Sequence, residues 1–217
     1  MAEKNRGLVN RRVTSLTSAG ASLYATTMYE GDYGGVFVSK NGGRAWTLLA
    51  NQHRLKGENI LRLRVRGAEM IATTFNGRLI SQDSGKHWTF KPTKPPEPPN
   101  LTIRGQSVFD TARSPGVRLA ATVNGLERST DNGKSWTHIT KGLPAGFVRA
   151  VAFGSKNARE CYAVQYARLY RSLDAGQSWE LIAGADSPML LVSLFVQGPT
   201  VYALSEDRGV FRRQAMQ

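Results

Sequence analysis

Ser129-Thr130-Asp131-Asn132-Gly133-Lys134-Ser135-Trp136 is one of four copies of an eight-residue box in this chain. The others are Ser39-Lys40-Asn41-Gly42-Gly43-Arg44-Ala45-Trp46, Ser81-Gln82-Asp83-Ser84-Gly85-Lys86-His87-Trp88 and Ser172-Leu173-Asp174-Ala175-Gly176-Gln177-Ser178-Trp179. Successive boxes start 42, 48 and 43 residues apart, and each of the four Trp residues closes one. A fixed interval of this size is the mark of a repeat architecture. Within the box, an Asp or Asn side chain accepts hydrogen bonds from amides just ahead of it, and Gly supplies a positive φ. Trp then begins the next strand and packs across the corner. The box is therefore read as a tight hairpin turn.

The flanks of each box show what it connects. Two short runs rich in β-branched and aromatic residues precede it, for example Met70-Ile71-Ala72-Thr73-Thr74 and Arg78-Leu79-Ile80-Ser81. A further run lies upstream, such as Ile60 to Val65, and a fourth follows the Trp, as in Trp179-Glu180-Leu181-Ile182. Each unit is thus a four-stranded antiparallel meander. A lone meander cannot bury both faces, whereas radial stacking of neighbours covers them all, so the expected fold is an all-β propeller. Its blades are predicted over about 11–50, 59–91, 104–140, 147–183 and 189–213 within one domain, 1–217. The fifth blade has three strands and no box. Its missing outer strand is expected from residues 7–10, which would close the ring and remove two open edges.

Composition sets bounds on partners. Lys and Arg number 29 against 16 acids, for a net charge of +13, and 20 of the bases are Arg. Arg suits bidentate contact with carboxylate or phosphate. The single Cys161, at the start of a strand, reads as a buried, inert thiol. No run is long and apolar enough to cross a bilayer, and Met1 to Arg6 leads into no apolar stretch of the secretory kind. Membrane insertion is not expected, and the compartment is left open.

The box resembles the BNR or Asp-box repeat, and the likeness runs from about Val13 to Phe211. Proteins built from that repeat include sialidases, xyloglucan-cleaving glycosidases, sortilin-type receptors and photosystem II stability and assembly factors. The longer pattern, an inner Val-x-x-Val run, then Tyr-Ala, then Gly-Val-Phe and the box, is most similar to the assembly-factor group. The resemblance implies that the box is scaffolding, that a basic, arginine-rich surface does the binding, and that an extracytoplasmic location is compatible. It does not name an activity.

Because the boxes occupy one end of the meanders, recognition is expected from the loops at the other end. The residues singled out there are Tyr29 and Tyr33 in the enlarged first-blade loop, Arg54 and Lys56 in the crossover to blade two, Tyr166 and Arg168 in blade four, and Arg208 in blade five. Arg104 and Arg149, near the starts of inner strands, extend the patch. Arg62 stands where other blades carry Ser15, Ala150 and Ser193, and is read as pointing into a central channel. The arginines are assigned to anion contacts and the tyrosines to amphipathic anchoring.

Enzymatic signatures are missing from the sequence. There is no Arg-Ile-Pro motif of the sialidase kind, and no spacing marks two carboxylates as a glycosidase pair. His53, His87 and His138 are dispersed, without Cys and His at ligand spacing. No metal or cofactor is expected. The function read from the sequence is a non-enzymatic propeller that binds a protein or peptide, including an acidic one. The alternative is carbohydrate binding or glycoside hydrolysis at the same face, and non-specific nucleic-acid binding ranks third.

Overall fold

The structure is a computed structural model that describes residues 2–3, 5–28, 33–51, 53–93, 102–154, 157–184 and 190–214. Among these residues there are 21 strands in five antiparallel sheets. Strand β1 is Ala2–Glu3. The first meander is β2 (Val13–Ala19), β3 (Ser22–Thr27), β4 (Gly35–Ser39) and β5 (Thr47–Asn51). The second is β6 (Ile60–Arg66), β7 (Glu69–Thr74), β8 (Gly77–Ser81) and β9 (Thr89–Pro92). The third is β11 (Gln106–Ser114), β12 (Val117–Thr122), β13 (Gly125–Ser129) and β14 (Thr137–Ile139), preceded by the short β10 (Thr102–Ile103) on the free edge of β11. The fourth is β15 (Ala150–Phe153), β16 (Cys161–Gln165), β17 (Arg168–Ser172) and β18 (Glu180–Ala183). The last sheet has the order β1-β21-β20-β19, with β19 at Leu191–Gln197, β20 at Thr200–Ser205 and β21 at Gly209–Gln214.

The chain divides into two compact units. The N-terminal unit is Ala2–Glu97 with Glu206–Phe211; the C-terminal unit is Pro98–Ser205 with Arg212–Gln217 and Met1. In the N-terminal unit β2 packs on β6, and in the C-terminal unit β11 packs on β15 and β15 on β19. Neighbouring meanders thus meet first along their leading strands. The apolar faces fill the space between them: Val36, Leu55, Ile60, Leu63, Met70, Leu79 and Trp88 in one unit, Leu119, Leu126, Leu143, Val151, Tyr170 and Trp179 in the other. In two of these pairs a side chain of the leading strand also reaches the next. Ser15 Oγ accepts the Leu63 amide at 3.3 Å, and the Asp110 carboxylate accepts the Val151 amide at 3.0 Å.

The box forms the corner that its residues require. In each copy the Ser is buried, donates to the Asp or Asn two residues on at 2.7–2.9 Å, and accepts the Gly amide four residues on at 2.8–2.9 Å. The Asp or Asn in turn accepts the amide four residues ahead of it at 2.9 Å. The Gly has φ between 78° and 92°, and the residue before it is left-handed too, at Gly42, Ser84, Asn132 and Ala175. The indole N–H of Trp88, Trp136 and Trp179 donates to the carbonyl of the Gly in its own box.

The amino terminus differs from expectation. The strand in the last sheet is Ala2–Glu3, not residues 7–10. Residues 6–8 instead do what 141–143 do in the other unit. The Trp46 amide donates to the Arg6 carbonyl and the Trp179 amide to that of Lys141, and Leu8 and Leu143 are both buried. Arg6-Gly7-Leu8 is therefore a lead-in to the first meander, seated against its box, with no ladder partner to satisfy.

Candidate functional site

At the end of the C-terminal unit opposite its boxes, Phe109, Phe147 and Arg149 converge, with Tyr166 near the same segment at Gly146. Phe109 is the first of them. In β2, β6, β11 and β19 the ladder slips by one residue just after the start, between Val13 and Ser15, Ile60 and Arg62, Val108 and Asp110, and Leu191 and Ser193. A bulge of this kind re-aims the extra residue, and in β11 that residue is Phe109, 41% exposed. Its ring meets Phe147 edge-on at 4.7 Å, and the Arg149 guanidinium stands 5.6 Å from its centroid. Such an arrangement holds the cation over the negative face of the ring. Among the described residues no carboxylate pairs with Arg149.

The segment that carries Phe147 and Arg149 is pinned at three points. Gln165, buried, donates through Nε2 to the Pro144 carbonyl at 2.9 Å. The Val148 amide donates to Thr122 and the Arg149 amide to Val164, at 3.0 and 2.8 Å. Tyr166 occupies the turn between β16 and β17 with a left-handed φ of 53° and is 54% exposed. Gly146 leaves it room: a Cβ there would stand 3.3 Å from the Tyr166 hydroxyl oxygen. Arg168, exposed, opens β17 beside that turn. Three aromatic rings and one unneutralised cation on an anchored backbone form an amphipathic surface of the kind that supplies hot spots.

The other candidates fall elsewhere. Arg104 lies in the β10–β11 turn, 3.6 Å from the Glu127 carboxylate, which is fully buried and hydrogen-bonded to His138 Nδ1 at 2.9 Å. Arg104 thus stands beside a buried carboxylate, with its own side chain partly exposed. In the N-terminal unit, Arg54 and Lys56 are exposed on either side of buried Leu55, and Tyr33 is exposed. The Arg208 carbonyl accepts Asn5 Nδ2 at 2.7 Å, while the Val210 amide donates to Asn5 Oδ1. Tyr29 lies outside the described residues. Arg62 shares one face of the second sheet with Arg64 and Arg66, in cross-strand register with Thr73 and Arg78. Phe109 and Phe147 were invisible to sequence reasoning, the first because a bulge breaks alternation, the second because it stands in a crossover.

Among the described residues no three His, Cys, Asp or Glu side chains come together, and no helix is long and apolar enough to cross a membrane. Burial pushes the Cys161 thiol up to about 12. Its thiolate is accordingly scarce at pH 8, so Ellman's reagent should leave the native protein unlabelled and react fully once the chain is unfolded in guanidinium. Fast labelling of native protein would show Cys161 to be accessible.

No protein-family model matches the chain, and no curated protein matches it by sequence. Solved structures do. Virginiamycin B lyase from Staphylococcus aureus, in an inactive form with quinupristin, is 11% identical with a TM-score of 0.53, over 97% of this chain and 98% of that one. YCF48 bound to D1 peptide is 14% identical with a TM-score of 0.47, over 94% and 78%. An ancestral GH74 enzyme is 18% identical with a TM-score of 0.42, over 98% of this chain but 31% of its own, so this chain spans about a third of that enzyme's length. All three are β-propeller proteins, and the likeness to the lyase shows the fold to be of that class.

Proposed function

We propose that this chain is a binding propeller that recognises a protein or peptide through the loop end of its meanders. The reading takes the four corners as Asp-box repeats and the five sheets as blades of one closed ring. The observation that carries it is the Phe109, Phe147 and Arg149 cluster with Tyr166 beside it. Aromatic rings and Arg are enriched at protein interfaces, and an anchored backbone lowers the ordering cost of binding. Arg149 offers its outward N–H groups to a carboxylate, while the rings take apolar side chains.

The test pairs a proteomic pull-down with a glycan array, using wild type, Phe109→Ala and Arg149→Gln. Partner retention is expected to fall about tenfold or more for each variant, the effect of losing a residue worth about 1.4 kcal/mol or more. The melting temperature should hold, since both side chains are partly exposed. Retention on glycans with no protein partner would overturn the reading.

A further inference from the structure

Asn-Gly occurs four times in the chain, as Asn41-Gly42, Asn76-Gly77, Asn124-Gly125 and Asn132-Gly133, each time at a hairpin turn of a meander. Asn is a labile side chain, and a following Gly lacks the Cβ that would hinder its amide nitrogen from reaching the Asn Cγ. Closing that ring asks two things of the fold. The Asn side chain must be free to swing over its own backbone, and the Gly amide must be free to give up its proton.

Three of the pairs are held. Asn41 Oδ1 accepts from the Ser39 hydroxyl and from the Ala45 amide, both at 2.9 Å. The Gly133 amide donates to the buried Ser129 hydroxyl at 2.8 Å. At Asn76 both groups are engaged: Nδ2 donates to the two Glu58 carboxylate oxygens at 3.2 Å, and the Gly77 amide donates to Thr74 Oγ1 at 3.1 Å.

The same turn one meander later is built differently. Val108 faces Thr122 as Ile60 faces Thr74, so Gln106 takes the place of Glu58. The Thr122 hydroxyl donates to Gln106 Oε1 at 2.8 Å, with the Gly125 carbonyl as its other acceptor at 3.0 Å. The group that restrains Asn76 thus has a counterpart committed to the threonine. Asn124 is exposed, and among the described residues nothing bonds its side chain. Thr122 Oγ1 accepts neither amide of the turn, so Gly125 is left to its ladder partner.

We propose that Asn124 is a modification site, deamidating through a cyclic imide ahead of the other three. The Gly125 nitrogen bonds to Asn124 Cγ and loses its proton, and the side-chain nitrogen leaves as ammonia. Water then opens the imide at either carbonyl, giving aspartate or isoaspartate. A neutral amide becomes a carboxylate, and in the isoaspartyl form the main chain gains a methylene inside a two-residue turn. The Thr122 carbonyl at the start of that turn accepts the Val148 amide at 3.0 Å, so the change falls one hydrogen bond away from the segment carrying Phe147 and Arg149. The site stands whether or not a partner binds there.

The unaltered protein, kept folded at pH 8, is sampled over days, digested and mapped by mass spectrometry. The readout at each of the four pairs is the mass gain of amide-to-acid exchange, with the isoaspartyl form resolved as a second peptide peak. The Asn124 peptide is expected to convert about fivefold faster or more than any other, since at least one hydrogen bond must first break at each of the held pairs. A parallel sample unfolded in guanidinium sets the intrinsic rates, against which each folded rate is divided. Equal protection at all four pairs, another pair in the lead, or no conversion of folded protein at Asn124 while the unfolded chain reacts would each overturn the proposal.

Discussion

Gly142→Ala is expected to destabilise the protein by about 3–5 kcal/mol, among the largest effects a single methyl group can have. Gly142 lies at φ 75°, and a Cβ there would stand 1.8 Å from the Trp179 carbonyl oxygen, inside any van der Waals contact. The obstacle is backbone on both sides. Moving it would break the hydrogen bond from the Trp179 amide to Lys141 and lift Leu143 and Trp179 out of the core. Gly116→Ala separates the clash from the conformational term, because Gly116 has the same φ of 75° with nothing within 4 Å of the new methyl. That variant should lose only about 1 kcal/mol. Thermal melts should then place Gly142→Ala roughly 10 °C below wild type and Gly116→Ala a few degrees below. If the two variants melt together, the crossover is not seated on the box as described.

The second large effect is acid sensitivity lodged in three of the four corners. The Asp83 carboxyl lies far below the usual range, held there first by the His87 amide and then by the His87 ring. Asp131 is likewise depressed, first by the Ser135 hydroxyl and then by its amide. At Asp174 burial pushes the carboxyl up, but bonds from the Ser178 hydroxyl and amide and from Ser172 outweigh it, leaving about 2. A carboxylate whose folded pKa is depressed contributes stability that is fully present above its unfolded value, about 4, and is lost as pH falls through the folded one. Stability should therefore decline below about pH 4, with the Asp174 share gone once pH passes about 2. Asp131 is exposed and Asp83 and Asp174 are half-buried, so screening by salt reduces the effect.

The first corner supplies an internal control. Asn41 does not titrate, and the position four residues ahead of it is Ala45, which offers no side-chain donor, whereas the three Asp corners have His87, Ser135 and Ser178 there. A second carboxylate oxygen needs a donor and an amide nitrogen does not. Asp174→Asn should accordingly flatten part of the decline in urea midpoint between pH 5 and pH 2 while costing stability at neutral pH. An unchanged acid profile in that variant would place the sensitivity elsewhere.

Much of this was legible in the chain because local chemistry is repeated. Ser, Asp or Asn, Gly and Trp at constant offsets specify a corner that no other short arrangement satisfies, and the runs on either side fall into strands whose register follows from the turn. The repetition misled at one point. Residues 7–10 were assigned as the outer strand the last sheet lacked, yet Arg6-Gly7-Leu8 matches Lys141-Gly142-Leu143 and behaves as that segment does, a likeness present in the sequence from the start. The candidate site was legible only in part. Arg149, Tyr166 and Arg168 were singled out as basic and aromatic residues of the loop end, whereas Phe109 was hidden by the bulge that turns it outward and Phe147 by its place in an irregular crossover.

Arginine shows the division best. That Arg62, Arg64 and Arg66 share a face is dictated by the two-residue period of a strand and could be read directly. Whether that face looks into a channel, against a carboxylate or into solvent depends on groups far away in the sequence, and so does the pairing of Arg104 with buried Glu127. By itself the sequence determined the repeating unit, its corners and its alternation, because those arise from interactions among residues close together in the chain. Tertiary structure alone decided which cations are neutralised and which aromatic rings meet, because charge pairing and ring contact need groups that only folding brings within a few ångströms.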